Sequence, residues 1–201
     1  MTIYDLKPRF QSLLRPACRA MANAGISANQ VTLMAALLSF AMGALIWGTH
    51  GAAGTLVLVP VVLFIRMALN AIDGMLAREH NMKSPLGSLL NEVGDVVSDA
   101  AIYLPFMIIP GVPGMLIVLV VLLGIVSELT GLAAVQIGAS RRYDGPMGKS
   151  DRAFVFGALG LLLGLGVSRG RWVDAVLGGV ITLLVITIWN RGTRALKEVS
   201  R

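Results

Sequence analysis

Polar side chains recur at helical spacing between Arg66 and Asp99, inside an otherwise apolar part of the chain. Arg66, Asn70 and Asp73 are separated by four and three residues, so a helix places them on one face. A second series repeats every four residues: Gly87, Asn91, Asp95 and Asp99. Ionisable groups are costly inside an apolar span and usually mark a site. The stretch therefore predicts two neighbouring helices whose polar faces form a pocket for a charged ligand.

The carboxylates of this stretch and the arginine at position 78 are the groups that can do chemistry. Carboxylates on facing helices, such as Asp73 and Asp95, supply the oxygen ligands that hard divalent cations prefer. Such cations neutralise a pyrophosphate and the charge on a leaving phosphate. The guanidinium of Arg78 fits phosphate oxygens, and a carboxylate near the open end can take the proton of an attacking hydroxyl. Together these groups predict a displacement at phosphorus.

The composition is that of a membrane protein. Of the 201 residues, 56% are hydrophobic and only 14% are charged. The formal charge of +6 comes from basic residues at the ends of apolar runs. This placement indicates membrane topology and phospholipid contact, and we expect no nucleic acid as a partner. Cys18 is the one cysteine, so an internal disulfide is excluded.

The hydrophobic pattern predicts an all-α membrane protein with six transmembrane helices, preceded by an N-terminal amphipathic interfacial helix. The chain forms a single membrane domain, 1–201, in this interpretation. It divides into the interfacial helix (1–25), the six spans (26–193) and a cytoplasmic tail (194–201). The apolar runs lie at about 30–47, 53–77, 86–109, 114–137, 153–167 and 172–189, and the longest polar loop at 138–152.

The distribution of lysine and arginine predicts the orientation. Fourteen of the 17 lie in the N-terminal segment, the 78–83 and 138–152 loops and the polar end of the chain from residue 190, whereas the alternate loops hold only Arg169 and Arg171. This asymmetry is consistent with six spans and both termini in the cytoplasm. The polar pocket then opens on the cytoplasmic side.

The two polar helices carry a long motif, Asp73-Gly74-x-x-Ala77-Arg78, eight further residues, then Gly87-x-x-x-Asn91-x-x-x-Asp95. The motif resembles the signature of the CDP-alcohol phosphatidyltransferase family, Asp-x-x-Asp-Gly-x-x-Ala-Arg, eight residues, Gly-x-x-x-Asp-x-x-x-Asp. The spacing agrees at every position, and six of the eight signature residues match. The sequence resembles an uncharacterised bacterial branch of that family.

The resemblance implies a transferase of the phospholipid-biosynthesis type in the bacterial plasma (inner) membrane. Such an enzyme moves a phosphatidyl or other phospho-alcohol group from a CDP-alcohol, with CDP-diacylglycerol as the first expectation, to an acceptor alcohol and releases CMP. The resemblance also implies one or two divalent cations, Mg or Mn, as cofactor. It further implies a homodimer surrounded by membrane lipids.

The same resemblance assigns expected roles by position. Asp95 is the expected catalytic base. The expected metal ligands are Asp73, Asp95, Asn70, Asn91 and Asp99. The CDP group is expected at Asn29 and Thr32, which open the first span, and at Asp73, Gly74, Ala77, Arg78 and Gly87.

Asn70 and Asn91 stand where the family signature has aspartate. An amide oxygen can coordinate a hard cation but brings no charge, so a two-metal site would lose two negative charges. Asp99 shares a face with Asp95 and can compensate, whereas Glu92 lies about 100° from Asn91 around the helix. Three alternatives remain open: a one-metal enzyme, a rearranged two-metal site, and a non-catalytic CDP-lipid-binding member of the family with a degenerate metal site.

Basic residues near the 138–152 loop are candidates for an acceptor site, although the positive-inside rule alone also accounts for them. Family members bind a phosphorylated acceptor with basic residues at this place, so the acceptor alcohol is expected either with or without a phosphate. The expected acceptor-binding residues are Lys149, Arg152, Arg141, Arg142 and Arg191. Two other charges inside the spans, Arg66 and Glu128, are expected to pair with other charges.

Overall fold

The computed structural model describes residues 3–200, with side chains from residue 10 onward. Residues 1, 2 and 201 of the expected domain lie outside the described residues. The described part is helical and contains no β-strand. Its helices are α1 (Ile3–Asn23), α2 (Ala28–Thr49), α3 (Ala53–Glu79), α4 (Pro85–Tyr103), a 3-10 helix (Leu104–Ile108), α5 (Gly114–Gln136), α6 (Lys149–Gly164) and α7 (Arg171–Val199).

Among the described residues, α2, α3, α5 and α7 are long and apolar enough to cross a membrane. α6 has 16 residues and is too short for this group, and the 19 residues of α4 include the acids Glu92, Asp95 and Asp99. Large apolar side chains cover the outside of the helices, as a lipid environment requires. The chain is therefore an all-helical integral membrane protein, and crossings by α4 and α6 stay predictions.

Short polar side chains fix where the helices around the pocket begin. The Ser27 hydroxyl accepts a hydrogen bond from the Gln30 N–H, and the Gln30 side chain accepts one from the Ser27 N–H, so α2 starts with a capping box. The Ser84 hydroxyl accepts a hydrogen bond from the Gly87 N–H at the start of α4, at 2.9 Å. These hydrogen bonds fix the first turn of α2 and the first turn of α4.

One expected boundary is wrong. The 138–152 segment is expected to be a loop throughout, but α6 begins at Lys149, because the Asp151 carboxylate accepts a hydrogen bond from the Gly148 N–H, at 2.8 Å. The segment 194–201 stays a prediction as a cytoplasmic tail, and α7 continues through it to Val199. An ion pair between Arg194 and Asp144, 2.5 Å long, holds this last part of α7 against the loop.

α3 packs against three other helices, α1, α2 and α6. α6 comes close to α3 through glycines: a Cβ at Gly160 would lie 3.0 Å from the Val59 side chain, and one at Gly164 would lie 2.8 Å from the Val57 side chain. α2 also packs on α4, where a Cβ at Gly43 would overlap a main-chain carbonyl oxygen. Close backbone contact therefore fixes each of the two helices that carry the motif, α3 against α6 and α4 against α2.

α1 lies along α3 and contributes a small apolar cluster. Cys18 is buried in this cluster, and Leu14 packs against it. The ring of Phe10 meets that of Phe64 edge to face, with 5.9 Å between centroids. Leu13 stays 75% exposed, so part of the apolar surface of α1 remains open. Such a surface suits a membrane interface, which stays a prediction for this helix.

Candidate active site

Asp73 is held in place by α2. It is only 5% exposed, and its Oδ2 accepts a hydrogen bond from the Thr32 hydroxyl at 2.8 Å. Thr32 is buried as well. The structure therefore brings together Thr32 from the start of the first span and Asp73 from the motif, two positions that are 41 residues apart.

Asp95 lies on α4 between a residue of α3 and a residue of α6. Its Oδ1 accepts a hydrogen bond from Asn70 Nδ2 at 3.2 Å and forms an ion pair with the Lys149 ammonium. Within the described part of the chain, Asp95 Oδ2 receives no hydrogen bond. One oxygen of the expected catalytic base is thus engaged, and the other is open to a ligand.

The two motif glycines leave room for polar side chains. A Cβ at Gly74 would lie 3.2 Å from Nη2 of Arg78, so the guanidinium folds back over the motif helix. A Cβ at Gly87 would lie 2.6 Å from Oδ1 of Asn29, whose Nδ2 donates to the Ser84 hydroxyl at 3.5 Å. Close approach to these helix backbones is possible only because neither position has a side chain.

Asn91 and Ala77 have different surroundings. The side chain of Asn91 is half-buried, and its amide makes no hydrogen bond with the residues that the structure describes. Ala77 packs against the apolar cluster around Cys18 and Leu76, between α1 and α3. The amide of Asn91 is therefore available to a ligand, whereas the neighbours of Ala77 are apolar.

Asp99 forms a buried ion-pair cluster. Its Oδ1 lies 2.6 Å from Nη1 of Arg66, and its Oδ2 lies 2.9 Å from Nη2 of Arg152. All three residues are buried. The expected pairing of Arg66 with another charge is confirmed. Because each oxygen of Asp99 faces a guanidinium, this arrangement leaves neither oxygen for a cation.

Glu128 of α5 connects three arginines. Its Oε1 lies 3.2 Å from Nη2 of Arg152, and its Oε2 lies 3.3 Å from Nη1 of Arg191 and 3.6 Å from Nη2 of Arg141. Arg191 also donates to the main-chain oxygen of Ser127 at 2.6 Å. The expected pairing of Glu128 is thus confirmed, and three of the five expected acceptor-binding residues converge on this one carboxylate.

The two adjacent arginines of the loop have separate partners. Arg141 binds Glu92 in a two-point contact, with Nε and Nη2 at 2.8 and 2.6 Å from the two carboxylate oxygens. Arg142 instead pairs with Asp144 at 2.7 Å and with Glu198 at 2.6 Å. Burial opposes ionisation of Asp144, but hydrogen bonds from Arg142 and Arg194 outweigh it and hold the pKa of this carboxyl below its usual value.

A polar cavity lies between α4, α5, α6 and the loop before α6. Its volume is about 230 Å³ when the open mouth is included. Its lining residues are Glu92, Asp95, Val96, Asp99, Glu128, Arg141, Lys149 and Arg152. The cavity therefore joins the expected base, Asp95, to three expected acceptor-binding residues. Arg142 does not line it.

The oxygen donors of the motif fit one hard cation. Asp73, Asp95, Asn70 and Asn91 offer only oxygen ligands, which Mg²⁺ and Mn²⁺ accept. In the described residues, no three His, Cys, Asp or Glu side chains gather closely enough to hold a metal ion. Mg²⁺ is commonly bound by one or two carboxylates together with substrate phosphates. Asp73 and Asp95 match that pattern.

Three residues of the site were not expected from the sequence in their observed roles. Glu92 is a partner of Arg141, Ser84 contacts Asn29, and Asp144 organises the loop through two arginines. Only Ser84 has a local signal, because serine before Pro85 is a typical helix start. Arg141, the partner of Glu92, and Arg194, one partner of Asp144, lie 49 and 50 residues away along the chain, where spacing gives no information.

Comparison with known proteins agrees with the motif. The family model for CDP-alcohol phosphatidyltransferase matches residues 25–190. The inner membrane protein YnbA of Escherichia coli (strain K12) is 44% identical over 191 residues, which cover 95% of this chain and 94% of that protein.

Two solved structures of the phosphatidylinositol phosphate synthase PgsA1 from Mycobacterium tuberculosis share the fold at 16% identity. The one with CDP-DAG bound has a TM-score of 0.76 and covers 94% of both chains. The one in complex with manganese and citrate has a TM-score of 0.77 and covers 91% of this chain and 88% of that one. With a family model that spans most of its length, this chain belongs to the CDP-alcohol phosphatidyltransferase family.

Proposed function

We propose that the protein transfers a phosphatidyl group from CDP-diacylglycerol, or another phospho-alcohol group from a CDP-alcohol, to an acceptor alcohol and releases CMP. The observation that carries the proposal is the placement of Asp73 and Asp95. Asp73 of α3 is braced by Thr32, and Asp95 of α4, at the wall of a polar cavity, accepts a hydrogen bond from Asn70, three residues before Asp73 on α3. The PgsA1 structure with CDP-DAG, which shares this fold, supports CDP-diacylglycerol as the donor.

The reaction is a displacement at the phosphorus that carries the diacylglycerol. The acceptor hydroxyl oxygen forms a bond to this phosphorus, and the bond to the bridging oxygen breaks, so CMP leaves with that oxygen. Oδ2 of Asp95 takes the hydroxyl proton, since Oδ1 is engaged by Asn70 and Lys149. Arg78, whose guanidinium lies beside Gly74, would hold a phosphate oxygen of the donor. Asn29 and Thr32 would contact the CDP group from α2.

The cofactor is a divalent cation, Mg or Mn, that would be held by Asp73 and by Oδ1 of Asp95 in place of the Lys149 ammonium, with the amide oxygens of Asn70 and Asn91, so that Oδ2 of Asp95 stays free to take the proton. When bound, it neutralises the diphosphate and the charge that develops on the leaving phosphate. The manganese in the second PgsA1 structure supports this choice of ion. The pairing of Asp99 with two arginines supports a single ion, because this acid is then no substitute for the amides.

The topology proposed for this reaction has six crossings, with α4 and α6 added to the four apolar helices. α4 and the 3-10 helix together span residues 85–108, enough to cross about 30 Å of hydrocarbon. Both termini and the cavity mouth face the cytoplasm, where Lys and Arg are concentrated. The bacterial inner membrane is the proposed location, supported by the name of the 44% identical relative. A homodimer stays a prediction from the family resemblance.

A second function has one specific observation in its favour. Asn70 and Asn91 replace two acids of the signature, and Lys149 occupies one oxygen of Asp95. A non-catalytic protein that binds CDP-lipid without turnover would tolerate these features. This second function would be favoured if the protein binds CDP-diacylglycerol at equilibrium but releases no CMP with any acceptor alcohol.

The test is a reconstituted transfer reaction. The purified protein in phospholipid micelles receives CDP-diacylglycerol labelled in the diacylglycerol part, Mn²⁺ or Mg²⁺, and a panel of alcohols. We expect the label to appear in a new phospholipid and an equal amount of CMP to be released, with both lost in EDTA. Label that moves to diacylglycerol or phosphatidic acid alone in every mixture would contradict transfer to an alcohol.

A further inference from the structure

The basic residues of the polar cavity are already neutralised by the protein. Four acids line the cavity, Glu92, Asp95, Asp99 and Glu128, against three bases, Arg141, Lys149 and Arg152. Each of the bases has a carboxylate partner: Arg141 has Glu92 at 2.6 Å, Arg152 has Asp99 at 2.9 Å, and Lys149 has Asp95. The lining therefore carries no excess of positive charge.

Glu128 is the residue that completes this neutralisation. Its side chain is 13% exposed and contacts Arg141, Arg152 and Arg191. Arg191 is itself 2% exposed and does not line the cavity directly. Without Glu128, Arg152 would keep Asp99 and Arg141 would keep Glu92, but Arg191 would keep only main-chain oxygens. One carboxylate thus offsets the charge that would otherwise be in excess at the cavity.

A phosphorylated acceptor fits this lining poorly. A phosphate monoester brings close to two negative charges at neutral pH. It would either face four carboxylates or displace one of them from its arginine, which leaves that carboxylate buried without a partner. Like charges in a partly buried site repel each other strongly because solvent screening is weak there.

An uncharged hydroxyl compound fits better. Nη1 of Arg141 and Nη1 of Arg152 are buried and have no hydrogen-bond partner within the described residues. Both arginines line the cavity. Their N–H groups can donate to hydroxyl oxygens, which accept without adding charge, while the carboxylates accept from hydroxyl protons.

We propose that the acceptor is an alcohol without a phosphate group, and that Glu128 sets this specificity by neutralising Arg191 and by adding a second carboxylate contact to Arg141 and Arg152. The inference deepens the proposed function and rests on it for the use of the cavity as the acceptor site. It commits the acceptor to the neutral or zwitterionic class, whereas the sequence of the basic loop left acceptors with and without a phosphate open.

The test compares matched acceptors in purified wild-type protein and in Glu128→Gln, which keeps the shape of the side chain and removes its charge. The pairs are glycerol with glycerol 3-phosphate and inositol with inositol 1-phosphate, in buffers without glycerol. We expect wild type to release CMP at least about tenfold faster with the unphosphorylated member, a difference of about 1.4 kcal/mol. Glu128→Gln lowers this ratio at least tenfold, mainly through a lower KM for the phosphorylated member.

Glu198→Gln is the matched control, because Glu198 pairs with Arg142 outside the cavity. We expect it to keep the wild-type ratio. If Glu128→Gln does not fold, Glu92→Gln frees Arg141 in its place and is expected to shift the ratio in the same direction. Faster turnover of the phosphorylated members by wild type, or an unchanged ratio in the folded variants, overturns the proposal.

A binding measurement separates this inference from the proposed function. Thermal unfolding is followed with and without glycerol 3-phosphate, with no donor present. We expect this probe to stabilise Glu128→Gln but not wild type. No CMP from any protein with any acceptor would contradict the proposed function, and stabilisation of wild type by glycerol 3-phosphate would overturn the specificity inference.

Discussion

Asp73 and Asp95 are held in different ways, and the difference suggests how they share the chemistry. Asp73 is buried, with one oxygen fixed by Thr32, as a ligand needs to be. Asp95 is a quarter exposed at the cavity wall, with one oxygen engaged and one open, as a base at the entrance for the acceptor needs to be. Their positions in the motif alone do not distinguish the two roles.

Asp73→Asn is expected to lower the rate of CMP release about 100-fold or more, because the cation loses one of its two charged ligands. Thr32→Val removes only the brace, so we expect a loss of about tenfold that higher Mn²⁺ concentrations largely restore. Initial rates at several Mn²⁺ concentrations give both values. Asp174→Asn is the control, since Asp174 is exposed in the first turn of α7. Full activity of Asp73→Asn would contradict the proposed role of Asp73 as a ligand of the cation.

The double variant Asn70→Asp, Asn91→Asp is expected to make stability depend on metal. Asn70 lies 3.2 Å from Asp95, so a carboxylate there repels Asp95 without a cation and joins it in binding one. We expect a lower Tm than wild type in EDTA and a gain of roughly 5–10 °C in saturating Mn²⁺. Thermal unfolding measures this, with Asn23→Asp on α1 as the control. If Mn²⁺ raises the Tm of the wild type and of the variant by the same amount, these two positions do not face the cation.

At the residue scale, the sequence predicts which side chains share the pocket but not their partners. The spacing of the polar residues predicts that Asn70, Asp73 and Asp95 share one pocket, and Asn70 does contact Asp95. Thr32, which contacts Asp73, was expected from the family resemblance and not from the spacing. The spacing does not predict that Asp99 lies between Arg66 and Arg152. That arrangement depends on the position of α6 along the axis of α4. Helix periodicity contains no information on how two helices are shifted relative to each other along their axes.

At the scale of elements, the contact of α2 with α4 controls the spacing of the pocket walls. α2 carries Thr32 and Asn29, and α4 carries Asp95. The helices approach closely at Gly43, where a Cβ would overlap the Ala101 carbonyl oxygen. This oxygen belongs to the main chain and cannot move away without displacing α4.

Gly43→Ala is therefore expected to separate α2 from α4 and to destabilise the protein by about 1–3 kcal/mol. For a chain of this size the Tm falls by roughly 2–10 °C. Gly48→Ala on the same helix is the matched control, because nothing lies within 4 Å of a Cβ at Gly48. Thermal unfolding of the two variants in the same detergent gives the comparison. A Gly43→Ala variant as stable as Gly48→Ala would contradict the close packing.

The only cysteine reports whether α1 stays docked on α3. Cys18 is 1% exposed, and burial, aided by the charge of Glu79, raises the pKa of its thiol. Both effects slow its reaction with maleimide, because the thiolate is the reactive form. We expect Leu14→Ser to speed labelling about tenfold, since loss of the packing frees α1. Leu13→Ser, at a position that is 75% exposed, is the control and is expected to label like wild type. Rapid labelling of wild type would mean that α1 is not docked.

Hydrophobic runs predict where the helices are, and capping predicts where some begin. Ser27 and Ser84 start α2 and α4 as their residue types suggest. The ends of the polar elements were harder to predict. α6 begins within the expected loop, and α7 continues through the expected tail, because contacts made by Asp151 and Arg194 stabilise turns that have no apolar pattern.

At the scale of the whole molecule, the fold separates the donor region from the acceptor region. α2, α3 and the start of α4 carry the residues proposed for the CDP group. α5, α6, α7 and the loop before α6 carry the ion pairs around the cavity. Asp95 lies where the two regions meet, in contact with Asn70 of α3 and Lys149 of α6. This position agrees with the proposed role of Asp95 in transfer from the donor to the acceptor.

The fold class, its helical elements and the family were predictable from the sequence because hydrophobic periodicity and a long motif are local properties of the chain. The charge balance of the cavity was not. The loop sequence shows basic residues in a row, whereas the acids that neutralise them, Glu92 and Glu128, come from two distant helices. Only the assembled structure shows that the cavity is close to neutral.

The most direct test of the account is CMP release by purified wild-type protein and by Asp95→Asn, with CDP-diacylglycerol, Mn²⁺ and an excess of mixed alcohols. Wild type is expected to release CMP in many turnovers, and EDTA is expected to abolish the release. Asp95→Asn is expected to bind the donor. Its rate of CMP release is expected to fall by about 100-fold or more, because no carboxylate is left to take the hydroxyl proton of the acceptor. Equal rates for the two proteins, or a wild type that binds CDP-diacylglycerol and leaves it intact with every alcohol, would contradict the account.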